Sequence, residues 1–123
     1  MIGYVTIGVK DMEKAKQFYI DLLSDLGAKV LVDLGRFALI GTAMDKPCLA
    51  VCIPYNKEAP QPGNGNMVAI NPGSKEKVDE LYHKAIALGA SGEGEPGQRI
   101  DDVFYGAYFR DPDGNKIAFF QFG

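Results

Sequence analysis

The chain has 123 residues, of which 46% are apolar and 24% are charged, and its formal net charge is −3. Charges of both signs are interspersed, so the composition predicts an ordinary globular domain and excludes a disordered chain or a basic nucleic-acid-binding surface. No apolar run approaches the ~18 residues of a membrane span and no signal-peptide pattern is present, so we expect a cytoplasmic protein without membrane contact.

The first part of the chain predicts a strand, a helix and three further strands. Residues 2–9 alternate in polarity as a strand does. The apolar residues of Met12–Leu26 then recur with the period of a helix, which Asp11 can cap and Gly27 can end. Three short strand patterns follow, over residues 29–34, 36–41 and 49–53.

Two cysteines, Cys48 and Cys52, lie four positions apart at the last of these strands. An extended strand holds such positions ~13 Å apart, which excludes a disulfide between them. Free thiols agree with the expected cytoplasmic location.

The same order of elements returns after a segment rich in proline and glycine, residues 54–66. A strand pattern covers residues 67–71, and Ser74 can cap a helix that Gly89 ends. The glycine-rich residues 91–98 predict one weak strand. The last two strands, residues 103–110 and 116–122, form a hairpin around the turn at Pro112-Asp113-Gly114.

Sliding the sequence by 63 residues superimposes the two parts. Val5 and Ile7 then fall on Val68 and Ile70, and Tyr19 falls on Tyr82. The repeat predicts one α+β domain over residues 1–123, built from two β-α-β-β-β modules at about 1–62 and 63–123. We expect the strands to share one curved layer whose outer side carries the helices and whose inner side is concave.

The strands have two different faces in this arrangement, because successive side chains point to opposite sides. Bulky apolar residues occupy the face expected to contact the helices. The other face mixes small, aromatic and weakly polar residues, as ligand cavities do: Tyr4, Thr6, Ala50, Cys52, Met67, Ala69, Gly106, Tyr108, Ala118 and Phe120. The alternative to a ligand cavity is that this face packs against a partner chain or on itself.

Residues 5–19 and the segment Asp111–Ile117, together with the paired modules, resemble the vicinal-oxygen-chelate superfamily over essentially the whole chain. Glyoxalase I, the bleomycin and fosfomycin resistance proteins and the extradiol dioxygenases belong to it. The resemblance implies a partly open, eight-stranded, barrel-like sheet with the helices outside and the site within, commonly in a homodimer.

The resemblance also implies a divalent metal held by His or Glu on four strands. In this sequence the corresponding positions are Tyr4, Cys52, Met67 and Ala118. A phenol, a thiol, a thioether and a methyl group are poor ligands for such ions, so we expect neither a metal nor another cofactor. The single histidine, His83, lies off the apolar stripe of the second helix and is expected on the surface.

No catalytic residue can be assigned from the sequence, but several residues are candidates for ligand contact. Resemblance to the fosfomycin-resistance branch implies Tyr108 and Thr6, and Arg99 could bind a carboxylate at the cavity mouth. Cys52 has two interpretations: a nucleophile, or a small residue that packs in the sheet. We also expect the segments 54–66 and 91–102 to be loops that can close over a ligand. The full predicted ligand-binding set is Tyr4, Thr6, Cys52, Met67, Arg99, Tyr108 and Ala118.

These observations favour a glyoxalase/bleomycin-resistance-like protein that binds a small organic molecule on the concave face without metal, as a homodimer. A lactoylglutathione-lyase-like or other lyase or isomerase is the alternative, and whether the protein is an enzyme is left open. A third possibility is a structural or interaction module whose cavity is filled.

Overall fold

The computed structural model describes all 123 residues and contains two α-helices and eight strands. The predicted α+β fold with two β-α-β-β-β repeats is confirmed. Neither helix is long and apolar enough to cross a membrane. In chain order, the elements are β1 (Tyr4–Gly8), α1 (Met12–Leu23), β2 (Lys29–Asp33), β3 (Phe37–Gly41), β4 (Cys48–Cys52), β5 (Val68–Ile70), α2 (Lys75–Ala87), β6 (Ser91–Ile100), β7 (Phe104–Arg110) and β8 (Lys116–Phe122).

The strands form two four-stranded sheets with the same topology. The first has the order β1-β4-β3-β2 and the second has the order β5-β8-β7-β6. In each sheet the repeat's first and last strands pair in parallel, whereas the other neighbours pair antiparallel. Contacts divide the chain into Met1–Pro62 and Gly63–Gly123, which we call the first half and the second half.

Both helices begin at the predicted caps. The Asp11 carboxylate accepts a hydrogen bond from the backbone N–H of Lys14, and the Ser74 hydroxyl accepts one from Lys77, each at 3.1 Å. These bonds satisfy backbone donors that have no partner inside the helix. Helix α1 ends at Leu23, earlier than expected, because Ser24–Leu26 tightens into a 3₁₀ turn that Gly27 closes with a left-handed φ of 83°.

The helix-facing side of each sheet forms the core of its half. In the first half Ile7 and Val51 are buried, and α1 contributes Tyr19 and Leu22. In the second half the buried residues are larger: Phe109, Ile117 and Phe119 lie in the sheet that α2 covers. The alternation read from the sequence therefore assigns the core face correctly in both sheets.

The weak strand predicted over residues 91–98 is present and longer than expected, so the expectation that residues 91–102 form a loop able to close over a ligand is wrong. Residues Ser91–Ile100 form β6, which pairs with β7 through three register shifts. Glycines permit this close pairing, since a Cβ atom at Gly94 would lie 3.0 Å from Cδ2 of Tyr108. The same glycines weakened the polarity alternation by which a strand is recognised in sequence.

Candidate functional site

An open groove of about 780 Å³ lies within the first half. Its floor is the end of the sheet's inner face, and the chain that follows β4 forms its wall. A groove of this volume is in the range of small-molecule sites. The lining residues are Tyr4, Thr6, Gly8, Arg36, Phe37 and Cys52, with most of the segment from Pro54 to Gln61.

The floor of the groove includes one row of residues across three strands. Cys52 on β4 lies between Gly8 on β1 and Phe37 on β3. Gly8 allows the wall to approach closely, because a Cβ atom there would lie 2.9 Å from Cβ of Pro60. The Tyr4 ring meets Phe37 edge to face at 5.6 Å between centroids. The floor therefore offers an aromatic pair beside a small thiol.

The neighbouring part of the same face is filled by its own side chains. Leu39, Cys48 and Ala50 are buried, and Leu31 and Val32 pack against them. The thiol of Cys48 donates to the carbonyl of Lys46 at 3.1 Å. Cys48 is thus a packed residue, whereas Cys52 is partly exposed at the groove.

Arg36 holds the wall at its start. One guanidinium nitrogen, Nη1, donates to the carbonyl of Ile53 at 2.7 Å, and the same group lies 5.4 Å from the ring centroid of Tyr55. The wall then turns at Lys57, whose N–H donates to the carbonyl of Pro54 at 2.9 Å. The Asn56 side chain accepts from the N–H of Glu58 at 3.0 Å. Local hydrogen bonds therefore define the wall's shape.

The inner face of the second half has a different character. The Tyr108 ring lies between two cations, with the Arg99 guanidinium at 5.4 Å and the Lys116 ammonium at 5.5 Å from its centroid. Arg110 donates to Glu93 at 2.8 Å, and this contact holds the pKa of Glu93 below its usual value. Cation–π contacts and one ion pair thus organise this face.

The predicted ligand-contact residues fall into two groups. Tyr4, Thr6 and Cys52 line the first-half groove. The other four belong to the second half, where Met67 and Arg99 are exposed, Tyr108 is half-buried and Ala118 is fully buried. Contact between a ligand and any of these residues stays a prediction.

Three groove residues, Gly8, Arg36 and Phe37, were missed in the sequence. Gly8 shares the strand parity of Tyr4 and Thr6, which was an available signal. Phe37 shares the parity of Leu39 on β3, but parity does not show which of the two lines open space. Arg36 was predicted as the first residue of the strand at 36–41, with the parity of the core residue Ala38, so parity gave no sign that it lines the groove.

Strand registers revise one of the positions at which a metal ligand is implied. Ala118 lies opposite Ala69 on β5, and in the first sheet Ala50 lies opposite the equivalent residue, Thr6. Ala50 is therefore the counterpart of Ala118, and Cys52 is the counterpart of Phe120.

Neither version of the four positions fits a divalent metal. With Ala50 the set is a phenol, a thioether and two methyl groups, and with Cys52 one methyl is replaced by a thiol. No cluster of three or more His, Cys, Asp or Glu side chains exists anywhere in the structure. Because hard divalent ions require oxygen or imidazole ligands, we derive no chemical step through a metal.

Comparisons with known proteins agree on one family. The model of the Glyoxalase/Bleomycin resistance protein/Dioxygenase superfamily matches residues 1–119. A crystal structure of a glyoxalase/bleomycin resistance protein from Albidiferax ferrireducens T118 is 34% identical, with a TM-score of 0.86 over 98% of this chain and 97% of that chain. A search of curated proteins finds no significant match.

More distant structures share the fold alone. A glyoxalase/bleomycin resistance protein/dioxygenase family enzyme from Burkholderia phytofirmans PsJN is 23% identical, with a TM-score of 0.78 over 96% of this chain and 95% of that one. The fosfomycin resistance protein FosX from Listeria monocytogenes, complexed with Mn(II) and sulfate, is 19% identical. Its TM-score is 0.74, covering 97% of this chain and 87% of that one.

Proposed function

Because this chain belongs to the Glyoxalase/Bleomycin resistance protein/Dioxygenase superfamily, we propose that it binds a small organic molecule in the groove of its first half, without a metal ion. The groove itself is the observation that supports this proposal most strongly. Its volume of about 780 Å³ matches that of small-molecule sites, and three of the residues expected to contact a ligand line it: Tyr4, Thr6 and Cys52.

The side chains of the groove suit binding more than catalysis. Phe37 and Tyr4 supply apolar surface, while the hydroxyls of Tyr4 and Thr6 supply hydrogen-bonding groups. Glu58 is the only carboxylate of the lining, and its Oε2 accepts from the Asn56 side chain at 3.2 Å. The lining contains no histidine, since His83 lies exposed on α2, so the lyase-like alternative gains no support from the groove.

A variant that fills the groove tests the proposal. Cys52→Phe introduces the residue found at the equivalent position of the second half, Phe120, and should abolish binding of the uncharged fluorophore N-phenyl-1-naphthylamine. The matched control is Leu34→Phe, which adds a similar ring at an exposed position outside the groove and should bind like the wild type. Binding unchanged in Cys52→Phe would contradict the proposal.

Thiol labelling gives an independent readout on the unmodified protein. Cys52 is partly exposed at the groove and Cys48 is buried, so iodoacetamide should alkylate Cys52 first, as peptide mass spectrometry would show. Saturating N-phenyl-1-naphthylamine should slow that reaction. Labelling of Cys52 at the same rate with and without the fluorophore would count against binding in the groove.

The metal-free part of the proposal has its own test. Protein purified without chelator should contain no stoichiometric zinc, nickel, manganese or iron by elemental analysis, because the four superfamily positions lack suitable ligands. One metal ion per chain would overturn this part and leave binding in the groove untouched.

We also propose a homodimer and a cytoplasmic location. Exposed apolar residues on and before the edge strand β1, namely Ile2 and Val5, support self-association. Light scattering at micromolar concentration should give the mass of two chains, and a monomeric mass would remove the dimer from the proposal.

A further inference from the structure

Resting on the proposed function, we infer that the first-half groove selects organic anions with a flat apolar body, and that Arg36 is the group that binds the negative charge. Arg36 lines the groove beside Phe37 and is partly buried. It forms no ion pair within the chain.

Most of the Arg36 hydrogen-bonding capacity is unused. A guanidinium has five N–H donors, and here only Nη1 has a protein acceptor, the carbonyl of Ile53. That bond and the Tyr55 ring at 5.4 Å fix the group in place before any ligand arrives. A positioned guanidinium with free donors is suited to a carboxylate or sulfonate, which it can bind through two parallel hydrogen bonds.

The surroundings of Arg36 specify the rest of the ligand. Phe37 and Tyr4 form an aromatic floor, and Tyr55, which is 87% exposed, adds a ring in the wall. Aromatic side chains favour flat ligands that can stack or pack edge to face. The combination of one cation with several rings therefore matches an aromatic acid better than a sugar or a metal chelate.

The negative charge of Glu58 should weaken anion binding, so the inference also predicts an effect in the opposite direction to that of Arg36. Its carboxylate is the only negative charge of the lining, and it stands on the exposed wall, where water screens it more strongly than Arg36. Removing the Glu58 charge should therefore strengthen anion binding slightly, whereas removing the Arg36 charge should weaken it strongly.

Two fluorophores with the same rings test the inference on the full chain. 8-Anilinonaphthalene-1-sulfonate carries a sulfonate, and N-phenyl-1-naphthylamine is the same molecule without it. The wild type should bind the sulfonate about tenfold more tightly, because a charge-assisted pair is gained. Arg36→Gln should remove that preference and leave affinity for the neutral fluorophore within about twofold, since the rings remain.

Three further variants complete the experiment. Glu58→Gln should raise affinity for the sulfonate by about twofold, since only a screened charge is lost. Arg36→Lys should retain part of the preference, because it keeps the charge without the fork of donors. Lys29→Gln, which removes an exposed charge of the same half outside the groove, should match the wild type. Because Glu58→Gln leaves the Arg36–Ile53 hydrogen bond intact, it tests the inference even if the Arg36 variants unfold.

The possible failures are distinguishable. Equal affinity of the wild type for both fluorophores would overturn the inference and leave the proposed function standing. Failure of both fluorophores to bind would instead count against the proposed function. A sulfonate preference lost in Arg99→Gln but kept in Arg36→Gln would overturn the inference too, because the anion would then be held by the second half.

Discussion

The two halves place their large side chain on different strands of the same row. In the first half Phe37 on β3 lies opposite the small Cys52 on β4, whereas in the second half the small Gly106 on β7 lies opposite Phe120 on β8. The Phe120 ring stacks on Phe104 at 5.5 Å. In the first half the corresponding place on the last strand carries only a thiol, and the groove opens there. Equal topology thus permits opposite packing on the same row.

A second row differs in charge. Cys48 in the first half corresponds to Lys116 in the second, because each lies two residues before the equivalent alanine, Ala50 or Ala118. On the neighbouring strand Gly41 corresponds to Arg110, because each lies two residues beyond the partner of that alanine, Leu39 or Tyr108. One face is therefore apolar and filled at this level, while the other is cationic. The backbone frame fixes where side chains point, and the chemistry of each face is set independently of it.

Deleting equivalent core residues should separate the halves most strongly. Val51 and Phe119 occupy equivalent helix-facing positions and both are fully buried. Phe119→Ala should lower the free energy of unfolding by about 4 kcal/mol and Val51→Ala by about 2 kcal/mol, since the larger side chain leaves the larger cavity. Urea denaturation followed by far-ultraviolet circular dichroism measures both. Equal losses would show that the two cores tolerate cavities differently.

Closing the gap at Gly8 tests the origin of the groove. Gly8→Ala places a methyl group 2.9 Å from Cβ of Pro60, so the wall must move. Such overpacking should lower the free energy of unfolding by about 1–3 kcal/mol and weaken N-phenyl-1-naphthylamine binding. Gly3→Ala is the matched control, because nothing lies within 4 Å of its Cβ position. Unchanged fluorophore binding in Gly8→Ala would show that the groove does not depend on the close approach of Pro60 to Gly8.

Tyr105 ties the second sheet to its helix. Its hydroxyl donates to Asp79 at 2.5 Å, and this hydrogen bond raises the pKa of Tyr105 above its usual value of about 10. Tyr105→Phe should lower the free energy of unfolding by about 1 kcal/mol at neutral pH. Tyr108→Phe should lower the free energy of unfolding much less, because the Tyr108 hydroxyl makes no hydrogen bond.

The pH dependence of this contact has a definite sign. Folding raises the pKa of a group that is neutral when protonated, so the contribution is complete below the unfolded pKa of about 10 and is lost as pH rises through the folded value. Urea denaturation of the wild type should therefore show a loss of stability at alkaline pH that Tyr105→Phe reduces. An identical alkaline loss in both proteins would refute the assignment.

The smallest effects concern one ion pair in each half. Lys16 contacts Asp33 at 2.7 Å and Arg110 contacts Glu93 at 2.8 Å, and these cations lower the pKa of both carboxyls. The stabilisation is therefore complete above the unfolded pKa values of about 4 and is lost as pH falls through the folded values. Asp33→Asn and Glu93→Gln should each flatten the acid limb of a stability–pH curve slightly. A steeper acid limb in either variant would contradict the assignment.

Much of the fold could be predicted from sequence because its signals are local. The caps Asp11 and Ser74 and the apolar stripes defined both helices. The Asp111–Asn115 turn was equally clear, and the structure explains it: the Asp111 carboxylate accepts from the N–H groups of Asp113 and Asn115, each at 2.9 Å. Strand β6 was predicted only weakly and too short, because its glycines carry no side-chain pattern.

The site was less predictable because it depends on registers and on volume. Parity showed that Tyr4, Thr6 and Cys52 share a face, but it could not show that Leu39 fills the space over Ala50 and leaves the space over Cys52 open. Pairing Ala50 with Ala118 required hydrogen-bond registers that single strands do not encode. The position of Arg36 at the groove depends on the path of the chain after β4.

The central claim is that the first half, and not the second, carries the binding groove. An NMR titration of isotopically labelled protein with N-phenyl-1-naphthylamine, followed in amide correlation spectra, tests it most directly. We expect the largest chemical-shift changes at Gly8, Phe37 and Cys52. Changes centred instead on Gly106 and Phe120, the second-half counterparts of Phe37 and Cys52, with the first-half amides unmoved, would contradict the account.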